Sequence, residues 1–155
     1  MKRKILIMNG PNLNFLGIRE PGIYGDRSYE ALLAYLKDKA DEMGVEIECF
    51  QSNHEGDLID RIQQAYFEKV DGVVINPGAL THYSYALRDA IGSVDQVIPF
   101  VEVHLSNVME RESFRHISVT KEVCIGQVSG LGFDSYVKGM ELLISRFRAQ
   151  DEKNS

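Results

Sequence analysis

The chain has 155 residues and a formal net charge of -6 at pH 7, with 44% hydrophobic and 26% charged residues. These proportions are typical of a soluble globular protein, and the acidic balance disfavours a nucleic-acid-binding protein, which normally carries a basic face. The apolar run after the basic start ends at Asn9, too early for a signal peptide, and no run is long enough to span a membrane. We therefore expect a cytoplasmic protein with a single domain over residues 1–149 and a polar, disordered tail over 150–155.

Short apolar runs alternate along the chain with segments whose apolar residues recur at helical spacing. In chain order, the predicted elements are strand Lys4–Met8, helix Ser28–Met43, strand Val45–Phe50, helix Ser52–Phe67, strand Gly72–Ile75, helix His82–Ile91, strand Val97–Val103, strand Glu122–Ile125 and helix Phe133–Arg148. One short helical turn is also predicted within Glu110–His116. Short apolar strands joined mostly by helices predict an α/β protein, in which helices cover both faces of a parallel sheet.

Polar residues in front of the helical segments predict where the helices begin. Ser28 is the expected cap of the first long helix, and Gly44 is the residue expected to end it. Ser52 and Glu55 stand three residues apart and match a capping box for the second helix. Thr81 is the predicted cap of the third helix.

Five strands with this alternation fit a flavodoxin-like fold with the strand order 2-1-3-4-5. In such sheets, ligands bind beyond the carboxyl ends of the strands, so the residues at those ends are the candidates for a site. Polar residues follow three of the predicted strands, at Asn9–Asn14, Asn76–His82 and Glu102–Asn107. Strands one and three end in asparagine instead of aspartate, which disfavours a phosphoacceptor receiver domain, and the first loop lacks the Ser/Thr-rich pattern of a flavodoxin phosphate loop.

The segment Asn9–Gly25 is much longer than an ordinary strand-to-helix connection of about 2–6 residues. Long loops in compact domains are usually functional or disordered, and the apolar residues of this loop can pack. It carries three polar candidates, Asn12, Arg19 and Tyr24. A nearby arginine favours the phenolate form of a tyrosine and so lowers its pKa. The segment therefore predicts a lid over the sheet edge, although an arginine and a tyrosine in a loop are often plain surface residues.

Glu102 and His104 are two residues apart on a predicted strand, so their side chains point to the same face of the sheet. A carboxylate beside an imidazole can fix its tautomer and favour its protonated form, which makes a general acid. A histidine hydrogen-bonded for structural reasons at a strand end is the alternative.

Other charged pairs give weaker indications of a site. His82 and Asp89 lie on one predicted helix face, and Arg111 and Arg115 are one helical turn apart, where they could bind an anion or only face solvent. The four histidines are too scattered to specify a metal site, and Cys49 and Cys124 are predicted to be buried, reduced thiols. No metal site is therefore expected.

Seven motifs together resemble type II 3-dehydroquinate dehydratases. They begin at Asn9 (NGPNLN), Gly17 (GIREP, followed by Tyr24-Gly25), Gln51 (QSN), Asn76 (NPGALTH), Ala86 (ALRDA), Glu102 (EVHLSN) and Ser129 (SGLG). They occur in the family's order and extend over nearly the whole chain. The resemblance implies a flavodoxin-like fold, a homododecamer built from four trimers, and no cofactor. It also implies reversible anti elimination of water from 3-dehydroquinate to 3-dehydroshikimate, through an enolate, in the shikimate pathway of aromatic amino acid biosynthesis.

The resemblance also implies a role for each matching residue. Tyr24 would remove the proton next to the C3 ketone, Arg19 would lower the pKa of Tyr24, and Asn12 would bind the enolate oxygen through a water. His104, oriented by Glu102, would protonate the departing C1 hydroxyl. The remaining residues would bind substrate or support the lid: Asn76, His82 and Arg115 at the ring hydroxyls, the backbone N–H groups of Leu105 and Ser106 at the carboxylate, Asp89 across a subunit contact, and Arg111 beneath the lid.

One position departs from the family pattern, since Ser135 stands before Tyr136 where the family often has glycine. We expect this difference to affect helix packing or subunit contacts and not the chemistry. The lysines are placed at predicted strand starts, on or after helices or in the tail, which disfavours the Schiff-base route to the same product. A non-catalytic flavodoxin-like module that binds a small anionic metabolite is the alternative from another class of function.

Overall fold

The computed structural model describes residues 2–24 and 26–155, and Tyr24 only by its place in a short helix. The strands are β1 (Lys4–Asn9), β2 (Glu46–Gln51), β3 (Gly72–Asn76), β4 (Phe100–His104) and β5 (Gly126–Ser129). The helices are α1 (Pro21–Tyr24), α2 (Tyr29–Met43), α3 (Glu55–Glu68), α4 (Tyr85–Val94) and α5 (Asp134–Lys153). Short 3₁₀ turns lie at Leu13–Phe15, Gly78–His82, Val108–Glu110, Ser113–His116 and Lys121–Val123.

The five strands form one parallel sheet in the order β2-β1-β3-β4-β5, which confirms the predicted flavodoxin-like topology. The register aligns polar residues across neighbouring strands. Asn9 at the end of β1 pairs with Asn76 at the end of β3, and Glu102 on β4 pairs with Gln127 on β5. Because parallel strands end at one edge, the polar segments predicted as candidates meet there.

Alternate residues of the central strands supply two separate cores. Ile5 and Ile7 pack with α2 and α5 on one face of the sheet, and Leu6 and Met8 pack with α3 and α4 on the other. Full burial of such a side chain stabilises the fold by about 1.5–3 kcal/mol. Both faces are therefore covered, and the edge that carries the strand ends stays open for a site.

The start of α2 confirms its sequence signals, and the start of α3 does not. Ser28 Oγ accepts a hydrogen bond from the backbone N–H of Ala31 at 3.1 Å, and Gly44 ends α2 with a φ of 75°. The capping box predicted for α3 does not form, because its N-cap is His54. Ser52 instead accepts from the backbone N–H of His54 at 2.9 Å, so it orders the turn before the helix.

The predicted start of the third helix is wrong. The segment from Gly78 to His82 forms a 3₁₀ turn, and α4 begins at Tyr85 with Ser84 as its cap, where Ser84 Oγ accepts from the N–H of Leu87 at 3.0 Å. Thr81, the predicted cap, is buried and hydrogen-bonded to side chains of the loop before β5.

The second half of the chain shows the largest differences from prediction. The fourth strand begins at Phe100, three residues later than expected, and the predicted fifth strand at Glu122–Ile125 is a 3₁₀ turn and connecting segment. Val123 and Cys124 have the apolar character of a buried strand, but they instead pack against the core that α3 and α4 cover. The true β5 follows this segment and is a partly exposed edge strand with a weakly apolar sequence.

The C-terminal helix α5 continues to Lys153 instead of ending at Arg148, so most of the tail predicted to be disordered is helical. The short helical turn predicted within Glu110–His116 is confirmed as the 3₁₀ turn Ser113–His116, and a further 3₁₀ turn at Val108–Glu110 precedes it. Among the described residues, no helix combines the length and the apolar character needed to cross a membrane.

Candidate active site

A cavity of about 190 Å³ opens at the carboxyl edge of the sheet, beside the ends of β1, β3 and β4. It could hold one small polar molecule, since a water molecule occupies about 30 Å³ in the liquid. Nine of the predicted site residues line this cavity: Asn12, Arg19, Asn76, His82, His104, Leu105, Ser106, Arg111 and Arg115. Three chain segments that are far apart in sequence are thus brought to one place.

Three predicted residues are not among those that line this cavity. Glu102 is fully buried behind His104. Asp89 lies on the exposed side of α4 and does not reach the cavity within this chain. The prediction for Tyr24 concerns a side chain outside the described residues.

His104 ends β4 with its ring between the cavity and a buried carboxylate. Its Nε2 lies 2.9 Å from Oε2 of Glu102. Burial raises the pKa of Glu102, but hydrogen bonds from His104, Thr120 and Gln127 more than offset this effect and lower the pKa to about 2. The ionised carboxylate accepts from the ring and fixes its orientation beside the cavity, so the pair is placed to pass a proton to a bound ligand.

Three further partners of Glu102 were not predicted from the sequence: Ser118, Thr120 and Gln127. Ser118 and Thr120 are two residues apart in an irregular segment, and Gln127 lies on the strand that was predicted in the wrong place. The strand register is the only signal that pairs Gln127 with Glu102, and it depends on the correct position of β5.

The loop after β1 is held in an unusual conformation at Asn12, whose φ of 72° lies in the left-handed region that asparagine tolerates better than most residues. The backbone N–H of Asn12 donates to Oδ1 of Asn53 at 2.9 Å. Gln51 Nε2 donates to the same Oδ1 at 3.1 Å and to the carbonyl of Gly10 at 3.2 Å. The Gln51-Ser-Asn motif at the end of β2 therefore fixes the loop that carries Asn12.

Asn76 lines the cavity and is also hydrogen-bonded to a residue of the core. Its Nδ2 donates to the hydroxyl of Tyr136 at 2.9 Å, and its Oδ1 accepts from the N–H of Gly78 at 3.1 Å. The Tyr136 hydroxyl donates onward to Oδ1 of Asn9 at 2.6 Å. Burial raises the pKa of Tyr136, so this hydroxyl stays protonated and fixes the amide orientations at the ends of β1 and β3.

The cavity is electrostatically suited to an anion. Three guanidinium groups line it, from Arg19, Arg111 and Arg115, and no carboxylate is among its described lining residues. Glu20 lies between Arg19 and Arg111, with Oε2 at 3.5 Å and 3.7 Å from their nitrogens, and so connects the loop to the segment after β4. Such a cluster attracts anionic ligands.

His82 adds a neutral imidazole to the cavity wall. Its Nδ1 lies 2.7 Å from the carbonyl oxygen of Ile117, so this nitrogen carries the proton. Burial is the main cause that lowers the pKa of His82, and the positive charge of Arg115 acts in the same direction. The remaining nitrogen of a neutral ring can accept a hydrogen bond from a ligand hydroxyl.

No lysine lines the 190 Å³ cavity in the described part of the chain, although Lys121 lines a smaller cavity nearby that His82 and His104 also border. The prediction that Lys121 lies at a strand start was wrong, because it begins a 3₁₀ turn. Within residues 2–24 and 26–155 no group of three or more His, Cys, Asp or Glu side chains could hold a metal ion.

Comparisons with known proteins agree with this geometry. The 3-dehydroquinate dehydratase of Lachnospira eligens is 62% identical over 141 residues, covering 91% of this chain and 95% of that protein. The crystal structure of type II dehydroquinase from Butyrivibrio crossotus is 57% identical with a TM-score of 0.90, covering 92% of this chain and 97% of that one. The corresponding structure from Propionibacterium acnes is 40% identical with a TM-score of 0.85, covering 93% and 98%. The model of the family described as Dehydroquinase class II matches residues 3–144, and the chain therefore belongs to this family.

Proposed function

We propose that the chain is a 3-dehydroquinate dehydratase, a hydro-lyase that interconverts 3-dehydroquinate and 3-dehydroshikimate in the shikimate pathway. The observation that carries this proposal is the His104–Glu102 pair on the wall of a cavity lined by three guanidinium groups. Such a wall suits an anionic substrate that must receive a proton at a leaving hydroxyl. The high identity to proteins of that name supports the same activity.

The first step is removal of a weakly acidic proton next to the C3 ketone. Tyr24, as a phenolate, takes this proton, and the electron pair moves onto the ketone oxygen to form an enolate. Arg19 lowers the pKa of Tyr24 through its positive charge. Asn12 binds the enolate oxygen through a water, since enolates require preorganised hydrogen-bond donors. The left-handed turn at Asn12, fixed by Asn53, supports this role.

The second step expels the C1 hydroxyl as water. The enolate collapses to restore the ketone, a carbon–carbon double bond forms, and the C1–O bond breaks as His104 donates its proton to the departing oxygen. Glu102 stabilises the imidazolium before this transfer and orients the ring. The tyrosine and the histidine exchange their protonation states in the process, and exchange with solvent resets both.

Substrate binding uses the rest of the cavity wall. We assign the ring hydroxyls to Asn76, His82 and Arg115, and the substrate carboxylate to the backbone N–H groups of Leu105 and Ser106. Arg111 supports the lid, in keeping with its ion pair to Glu20. Closure of the lid excludes water, which strengthens every charge interaction in the site.

The proposal includes a homododecamer of four trimers in the cytoplasm, with Asp89 acting across a subunit contact. Asp89 is exposed on α4. Tyr83, just before this helix, and Tyr85, its first residue, are 61% and 68% exposed. An exposed aromatic patch near a site marks a surface suited to another protein. Sedimentation should therefore give a mass of twelve chains, and a stable monomer would contradict this assembly.

The test of the activity is ultraviolet absorbance of the purified protein mixed with 3-dehydroquinate, with and without a chelator and borohydride. The product is a conjugated enone carboxylate and absorbs where the substrate does not. An absorbance rise that survives both additions is expected, and no rise from a folded protein would favour the binding module. Loss of the rise on borohydride treatment would instead indicate a Schiff base.

Two variants test the assigned roles. Tyr24→Phe should bind substrate without turnover, and His104→Ala should lose protonation of the leaving group. Tyr66→Phe, at an exposed position on α3, is the matched control for the first variant. Retained turnover in Tyr24→Phe or in His104→Ala would remove that residue from the mechanism.

A further inference from the structure

Glu102 is surrounded by four donor residues from three separate parts of the chain. It has no solvent exposure, and it accepts from His104 Nε2 at 2.9 Å, from Ser118 Oγ at 2.9 and 3.0 Å, and from Gln127 Nε2 at 2.6 Å. Thr120 Oγ1 donates to the other carboxylate oxygen, Oε1. A buried carboxylate with this many donors is both held in the ionised form and fixed in orientation.

The protons of this network can point in only one direction. An ionised carboxylate accepts and cannot donate, so Ser118 and Thr120 must each turn their single hydroxyl proton toward Glu102. Both hydroxyls also lie within 2.9 Å of Thr81 Oγ1, and Thr81 must therefore be the donor to one of them. The hydrogen bonds thus run from Thr81 through Ser118 or Thr120 to Glu102, which accepts from both of these hydroxyl groups.

The same reasoning fixes the tautomer of His104. Because Glu102 can only accept, the His104 nitrogen that faces it, Nε2, must carry a proton. Nδ1 is then the nitrogen that exchanges a proton with a ligand in the cavity. If Glu102 turned away or became neutral, the ring would lose both its orientation and its stabilising charge.

We propose that Gln127 and Thr120 are positioning residues for the reaction, which act through Glu102 to hold His104 in its proton-donating orientation. Neither residue lines the 190 Å³ cavity. Gln127 lines a smaller neighbouring cavity of about 80 Å³ that His82 and His104 also border, whereas Thr120 is buried and lines neither cavity. Gln127 is directly opposite Glu102 in the β4–β5 register, and its side-chain amide donates to the carboxylate from the edge strand. This inference rests on the proposed function of the His104–Glu102 pair.

Gln127 provides the sharper test, because its position on an edge strand makes loss of folding a small risk. Gln127→Leu removes one donor and preserves the side-chain volume. Gln64→Leu is the matched control, since Gln64 on the exposed side of α3 also donates to a glutamate, Glu68, at 2.7 Å and lies outside the site. Both variants are compared with the wild type in the absorbance assay with 3-dehydroquinate.

We expect kcat of Gln127→Leu to fall about 10- to 100-fold, the fold-change that a hydrogen bond to a charged group is worth, while KM changes little. Thr120→Val should behave in the same way, and Thr120→Ser, which keeps the hydroxyl, should restore kcat toward that of the wild type. Gln64→Leu should match the wild type. A fall confined to KM, or a kcat for Gln127→Leu equal to that of Gln64→Leu, would overturn the inference.

The pH profile separates positioning from a general loss of structure. Loss of a donor raises the pKa of Glu102, so kcat of Gln127→Leu should decline on the acid side at a higher pH than in the wild type. The titratable groups that interact with this carboxylate are His104, His82 and Cys124. Arg115, His116 and Lys121 line the small cavity beside Gln127, and the substitution leaves all six groups in place. An unshifted acid side would contradict the inference.

A readout without turnover separates failure of this inference from failure of the proposed function. In protein labelled with ¹⁵N in the histidine rings, the His104 signals should show protonated Nε2 in the wild type and a reduced share of that form in Gln127→Leu. If the wild type shows no turnover, the proposed function fails. If turnover is present and the tautomer is unchanged in Gln127→Leu, only the positioning role fails.

Discussion

The hydroxyl of Tyr136 connects the ends of two central strands, and its removal should be costly. In Tyr136→Phe the ring still fills its place in the core, so no cavity forms. The substitution removes the donor to Asn9 Oδ1, at 2.6 Å, and the acceptor for Asn76 Nδ2, at 2.9 Å. Both asparagines are buried, with 0% and 3% of their surface exposed, so water cannot easily replace the lost partner.

The magnitude follows from these two orphaned groups. A buried polar group left without a partner costs about 1–3 kcal/mol, so the two together should lower the free energy of unfolding by about 2–6 kcal/mol. With a urea m-value of about 2 kcal/mol/M, the unfolding midpoint should fall by about 1–3 M. This loss is large against the total stability of about 5–15 kcal/mol that is typical of a domain.

The assay is urea unfolding followed by circular dichroism at one fixed protein concentration. Tyr66→Phe is the control, because Tyr66 is 48% exposed and should change stability by less than about 0.5 kcal/mol. A change in Tyr136→Phe no larger than in this control would refute the reasoning, since it would mean that Asn9 and Asn76 do not depend on the hydroxyl. The variant should also raise KM, because Asn76 would lose the partner that orients it at the cavity.

Three further outcomes follow from the structure. The pKa of Glu102 is lowered from 4.5 to about 2 on folding, so the stability it contributes is present above about pH 4.5 and is lost as the pH falls toward 2. Between these pH values, the free energy of unfolding in urea should therefore fall more steeply for the wild type than for Glu102→Gln. An equal dependence on pH in the two proteins would contradict the assignment. Asn53→Ala removes the acceptor for the backbone N–H of Asn12 and should lower the free energy of unfolding by about 1 kcal/mol and raise KM, whereas an unchanged KM would show that the loop holds its shape alone. In Gly10→Ala the new Cβ would lie 2.4 Å from a backbone oxygen of the β3–α4 connection, which should cost about 1–3 kcal/mol in urea unfolding, while Gly56→Ala, where nothing lies within 4 Å, should cost nothing; equal values would argue against the clash.

Much of the fold follows from local pattern. The strand order could be predicted because short apolar runs separated by helices have few parallel arrangements, and a parallel sheet brings all strand ends to one edge. For that reason the sequence alone was enough to expect that Asn12, Asn76 and His104 meet. The spacing of these residues in the sequence left their roles open, and the roles were assigned from the resemblance of their motifs to type II 3-dehydroquinate dehydratases.

Other features could not be predicted because they depend on contacts between distant segments. The apolar residues Val123 and Cys124 pack against the core that α3 and α4 cover. With Ile125 they form a run of three apolar residues, and hydrophobicity alone cannot distinguish so short a run from a strand. Ser52 matched a capping box, yet its hydroxyl accepts from the N–H of His54 in the turn before α3 and donates to the side chain of Asp57 at 2.7 Å. The donors to Glu102 depend on loop geometry and on register, neither of which leaves a periodic signal in the sequence.

The two cores of this sheet are completed at different times as the chain is made. The helices α3 and α4 cover one face with residues that are synthesised before β4, whereas the opposite face needs α5, the last helix in the chain. The bond between Tyr136 and Asn9 spans 127 residues, so β1 gains its final partner only when α5 has left the ribosome. Until then, the apolar side chains of α2 and of the central strands on this face lack the contacts that α5 provides. Before α5 is made, the nascent chain therefore has one covered face and one face of exposed apolar side chains, a state that favours aggregation.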